Sequence, residues 1–131
     1  NMKIYDKNKK LFDIFIKNED TKVEKNFVTE NEQEMQLASF NLKKGTNILN
    51  HYHPKQTRTI TSTAEVITII DGSLKVNIFD EDLKMVESQI INSGETVALF
   101  AGGHGIEVLE TTRFIESKQG PYIEDIDKVR F

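Results

Sequence analysis

From Leu11 to Ser117 the chain keeps breaking into short apolar runs closed by turn residues, and little of it carries helical periodicity. Leu11 to Lys17 and Glu34 to Leu42 alternate apolar with polar side chains, as half-buried strands do, and the second run ends at Lys43-Lys44-Gly45. Between them, Asn18 to Glu32 is acidic and irregular, with room for a short edge strand at Asn26 to Thr29. The firmest punctuation is Asp71-Gly72, set between Glu65 to Ile70 and Ser73 to Phe79. That pair supplies the positive φ angles of a type I′ turn, so a hairpin is expected there. A second hairpin is expected to turn at Asp80-Glu81-Asp82 and return along Met85 to Ile91, before Asn92-Ser93-Gly94 breaks the chain. Glu95 to Phe100, Ile106 to Glu110 and Thr112 to Ser117 complete the series. Eight or more short strands with little helix predict an all-β, antiparallel jelly roll or barrel. The tail from Gly120 to Phe131 reads equally as one helical turn or an added strand.

One domain accommodates all of this. With 131 residues, 37% hydrophobic and 29% charged, the chain is long enough for a single core and too apolar for disorder. We expect one domain over residues 2–131, with N-terminal strands in 2–44, the main barrel in 45–117 and a tail in 118–131. Met2 is expected to be the initiator, with Asn1 a foreign residue ahead of it. The absence of cysteine excludes disulfides, thiolate metal sites and a cysteine nucleophile. No apolar run reaches the length of a membrane span and no secretory leader is evident, so a cytoplasmic protein is expected. A net charge of −4 argues against nucleic acid, and Lys7-Asn8-Lys9-Lys10 reads as a solvated turn.

Three histidines occur in the chain. His51 and His53 flank Tyr52, and on a strand the two imidazoles would share a face about 7 Å apart. His104 stands in a distant glycine-rich stretch, Ala101-Gly102-Gly103-His104-Gly105. By itself a His-x-His pair reads more readily as two exposed or hydrogen-bonded strand histidines than as metal ligands. Its setting is more specific. Gly45-(x5)-His51-x-His53 and Glu65-(x6)-Gly72 resemble the first motif of the cupin superfamily, with eleven residues between His53 and Glu65 where the family has three or four. Thr57 and Arg58 stand where a shorter motif would place its carboxylate, and neither is a good metal ligand. Gly94, Phe100, Gly102 and His104 resemble the second motif, with Phe in place of Pro, one residue fewer before the histidine, and Val108 where the family has Asn. The resemblance spans residues 45–117.

The resemblance implies a double-stranded β-helix, the jelly-roll cupin barrel, holding one divalent metal ion through His51, His53, His104 and Glu65. Zinc, manganese, iron, nickel and cobalt all suit such ligands. Two open positions would serve a substrate. The alternative for Glu65 is a solvent-facing residue or a partner of Arg58, and for His104 a turn histidine packed against the barrel mouth. Gln56 and Arg58, on the lengthened loop, are candidates to meet an anionic substrate, or are plain surface residues. Phe100 is a candidate apolar wall or a core residue.

Arg113 to Tyr122 ends in Lys-Gln-Gly-Pro-Tyr, which is similar to the tail of a group of small bacterial cupins, some of them linked to surface-polysaccharide synthesis. Glu116 and Lys118 would be same-face neighbours and candidate acid and base, or salt-bridge partners. The resulting expectation is a metal-dependent isomerase or epimerase acting on a sugar derivative. Two alternatives stand beside it: an iron-dependent dioxygenase, and a non-catalytic module that binds or senses a small ligand. A homodimer is expected, with the Leu11 to Lys17 strand adding to a partner's sheet.

Overall fold

The computed structural model describes residues 1–131 and contains ten strands. They are β1 (Met2–Tyr5), β2 (Leu11–Ile16), β3 (Lys25–Phe27), β4 (Ala38–Phe40), β5 (Glu65–Asp71), β6 (Ser73–Phe79), β7 (Met85–Asn92), β8 (Thr96–Leu99), β9 (Gly103–Val108) and β10 (Arg113–Lys118). The one helical element is a 3-10 turn at Asn18–Lys22. No helix is long and apolar enough to cross a membrane.

A five-stranded antiparallel sheet has the order β1-β2-β8-β5-β10, a three-stranded sheet the order β7-β6-β9, and β3 pairs with β4. The all-β expectation holds. The sheets do not close into a barrel.

The two larger sheets face each other across one apolar layer. Phe12, Phe15, Ile67, Ile69, Val97 and Leu99 from the first meet Leu74, Val76, Ile78 and Ile91 from the second. Strict alternation produces this on β6, where Leu74, Val76 and Ile78 are buried and the residues between them are not. The five-stranded sheet also buries its other face. There Ile14, Ile16, Ala98 and Phe100 pack with Val28 and Ala64 under the β3–β4 segment. Coverage on both sides explains why β2 is buried along nearly its whole length.

That coverage also leaves Asp13 in the inter-sheet layer, directly opposite Leu99 on β8. Its side chain is 1% exposed and neither carboxylate oxygen has a hydrogen-bond partner. Burial raises its pKa to about 8, so the carboxyl is mostly protonated at neutral pH.

Several expectations change. Strands flank Asp71-Gly72 where expected, but β5 and β6 do not pair with each other, because β5 lies between β8 and β10 and β6 between β7 and β9. Asp71-Gly72 is therefore a corner between sheets. Gly72 has φ +121°, and a Cβ there would run into the backbone and side chain of Thr112, whose hydroxyl accepts from Ser73 N at 3.0 Å. The hairpin at Asp80-Glu81-Asp82 does form, between β6 and β7. β2 is flanked on both sides, by β1 and β8, so it has no free edge to offer a partner's sheet. Only Ala38–Phe40 of the Glu34 to Leu42 run is extended in a ladder. His104 lies on strand β9 rather than in a turn.

Candidate functional site

Glu65 opens β5, and its cross-strand neighbours are Leu99 on one side and Lys118 on the other. Because Leu99 belongs to the inter-sheet layer, Glu65 and Lys118 point toward the opposing sheet. His104 sits on β9 opposite Ile78, another residue of that layer, and so points back toward the first sheet. The two side chains meet: His104 Nε2 lies 2.9 Å from Glu65 Oε2. The hydrogen bond from the imidazole, with its charge, holds the Glu65 carboxyl below its usual range.

Glu116 stands on the same strand face as Lys118, beside Glu65. Desolvation and the neighbouring Glu65 charge push its pKa up. Lys118 Nζ donates to Asp127 Oδ2 at 2.9 Å, and this bond, partly offset by desolvation, raises the lysine's pKa. The group thus comprises an ionised carboxylate bonded to an imidazole, a carboxyl held nearer its neutral form, and a cation.

Glu65, His104 and Lys118 line a cleft of about 590 Å³ together with Asn77, Gly102 to Gly105 and the C-terminal tail, while Glu116 lies beside Glu65 outside its lining. The tail contributes Lys128 and Arg130, and Phe131 closes it edge-on against Phe79, with centroids 5.1 Å apart and planes at 89°. Gly102 makes the close approach possible, since a Cβ on it would lie 2.6 Å from the Phe79 carbonyl oxygen and its φ is +71°. The tail residues escaped the sequence reading because each acts singly, through one long-range contact, with no spacing to mark it.

The remaining candidates lie elsewhere. His51 and His53 are not on a strand. They occupy an irregular segment in which every residue from 43 to 61 is exposed, and they touch each other edge to face with centroids 5.3 Å apart. His51 Nδ1 lies 2.8 Å from the Leu49 carbonyl oxygen. No three of the histidine, aspartate and glutamate side chains come together as a group able to hold a metal ion, so one chain brings only two of the four expected ligands, Glu65 and His104, to one place. Gln56 and Arg58 share the exposed segment and do not line the cleft. Glu65 pairs with His104 and not with Arg58. Phe100 is a core residue, buried beside Ile14 and Ala98 on the far face of the five-stranded sheet.

By fold and site the chain is an all-β protein of three antiparallel sheets with a polar, ionisable cleft between the two larger ones. No protein-family model, no curated protein and no solved structure matches it.

Proposed function

We propose that this is a cupin-type jelly roll whose inter-sheet cleft binds a small polar anion, such as a sugar derivative, and moves a proton on it as an isomerase or epimerase does. The contact between Glu65 and His104 carries the reading, because it presents an imidazole oriented by a carboxylate at the floor of a cleft. With Nε2–H donating to Glu65, the lone pair of His104 is on Nδ1, and this nitrogen is the base. Glu116, held toward its neutral form, is the matching acid. Lys118, Lys128 and Arg130 supply the positive charge that would anchor an anionic group or steady an oxyanion.

The cupin assignment is supported by the motif glycines. Gly45, Gly72, Gly94 and Gly102 all have positive φ, between +71° and +121°, as expected of residues that punctuate the chain. Glu65 and His104 alone give a divalent ion fewer protein ligands than the three or four it is usually held by, so the proton transfer is assigned to side chains of this chain.

The test is exchange of substrate hydrogen for solvent deuterium, followed by mass spectrometry across a panel of sugar phosphates and nucleotide sugars. Exchange that disappears in His104→Gln supports the reading. No exchange with any member of the panel would reject it.

A further inference from the structure

The cation best placed to receive an anion in the cleft is already occupied. Lys118 Nζ donates to Asp127 Oδ2 at 2.9 Å and lies 5.0 Å from the centre of the Tyr122 ring, so the tail supplies both contacts. The pair is sheltered, with the Lys118 side chain 20% exposed and that of Asp127 11%. Of the three acids in the tail, Glu124 and Asp125 are exposed and only Asp127 lines the cleft. Glu65 is the cross-strand neighbour of Lys118, and Glu116 stands on the same strand face. Three carboxyl groups thus surround one ammonium. A ligand anion added to them would be a fourth, opposed by like charge in a half-buried place. An anion that takes the place of Asp127 leaves the balance of charge unchanged.

The middle of the tail is free to make that exchange. From Gly120 to Phe131 no backbone group bonds to another backbone group. Ile123, Ile126 and Val129 are all exposed, so moving this stretch uncovers little apolar surface. Its two ends are fixed. Gln119 N donates to Ala64 O on one side, and Phe131 packs edge-on against Phe79 on the other. Phe79 alternates with the buried Ile78 and so faces the outer side of β6, which means the tail crosses from β10 over β9 to reach it. The crossing depends on Gly103, where a Cβ would lie 2.9 Å from the Phe131 ring. Between these anchors Lys128 and Arg130 stay beside the cleft whichever way Asp127 turns.

We infer that Asp127 holds the place of a ligand's oxyanion, a carboxylate or a phosphate, at Lys118. Binding turns Asp127 out, seats the ligand's anionic group on the Lys118 ammonium, and leaves Lys128 and Arg130 to close over it from the tail. This deepens the reading of the cleft as an anion site and rests on it. In the free protein Asp127 is a positioning residue that keeps the ammonium aimed into the cleft. It also competes with the ligand, which binds only the fraction of molecules whose latch is open.

Calorimetry with inorganic phosphate and with glucuronate, each titrated into the full chain, tests the exchange and separates the two sources of the anion. Asp127→Asn should bind one of them about tenfold more tightly, because the competing charge-assisted hydrogen bond is gone. Asp125→Asn removes the same charge from an exposed position of the same tail and should leave the affinity unchanged. Lys118→Gln should abolish binding. In the parent chain, the carbon-13 resonance of the Asp127 carboxyl should move as the anion saturates. Equal affinity in the parent and Asp127→Asn, an equal gain in Asp125→Asn, binding that survives Lys118→Gln, or an Asp127 resonance that stays put would each overturn the inference. So would the absence of binding of either probe by all of these proteins. Exchange of substrate hydrogen with solvent deuterium is a separate readout. Tighter binding in Asp127→Asn without such exchange removes the proton-transfer reading alone, and exchange with no gain in Asp127→Asn removes the competition alone.

Discussion

The 2.9 Å contact between His104 Nε2 on β9 and Glu65 Oε2 on β5 joins a strand of the three-stranded sheet to a strand of the five-stranded sheet. It ties the two layers at the end of the gap where apolar packing runs out.

Replacing Glu65 by Gln is expected to cost about 1 kcal/mol near neutral pH, the scale of a charge-assisted hydrogen bond discounted for a half-open site. Glu65 is held below its ordinary pKa, so its contribution is full above the unfolded-state value and is lost as pH falls through the lower folded-state value. Denaturant unfolding of both proteins should therefore show a gap at neutrality that narrows under acid conditions. A gap independent of pH would assign the cost to packing.

Asp13 works in the opposite direction. Its folded-state pKa of about 8 lies above the unfolded value near 3.8, so the folded chain binds the extra proton between them and stability falls as pH rises through that window. Asp13→Asn removes the titration. Stability near pH 8 should rise by on the order of 3 kcal/mol, and the difference from the parent protein should shrink toward pH 4. Urea midpoints across that range provide the measurement.

The tail is held by Lys118, which donates to Asp127 and lies over the Tyr122 ring, and by Phe79 against Phe131. Phe131→Ala should cost about 1 kcal/mol, the scale of an aromatic pair, and release the tail locally without unfolding the sheets. Faster amide exchange confined to residues near the C-terminus, with β6 unchanged, is the expected pattern.

Gly72→Ala should destabilise the protein by about 2 kcal/mol or more, since it combines an unfavourable φ with a collision against Thr112. The same change at Gly45, where a Cβ would meet nothing, should cost less because only the φ penalty applies. Comparing the two thermal midpoints separates strain from collision.

The strands were readable from local alternation because a period of two survives whatever the partner is: β6, β7 and the run at β8 lie close to where the residues place them. Pairing was not readable. Asp71-Gly72 looks the same whether the chain folds back on its own ladder or crosses to another sheet, and the choice depends on β8 and β10, which flank β5. Glu65 and His104 are linked in the sequence only through the resemblance to the cupin motifs, and the fold brings the two side chains into contact. His51 and His53 were expected on a strand, but alternation yields a strand only when a neighbour supplies the ladder, and residues 43–61 have none within their own chain.

The pairing of Ile16 with Thr96, and of Phe15 with Val97, also fixes the timing of folding. β2 is the most apolar strand of the first sheet, yet its inner neighbour β8 lies far along the chain, after β7. Val28 and the β3–β4 segment cover Ile14 and Ile16 early, but Phe12 and Phe15 wait for strands much further along the chain, a long-range topology that slows folding.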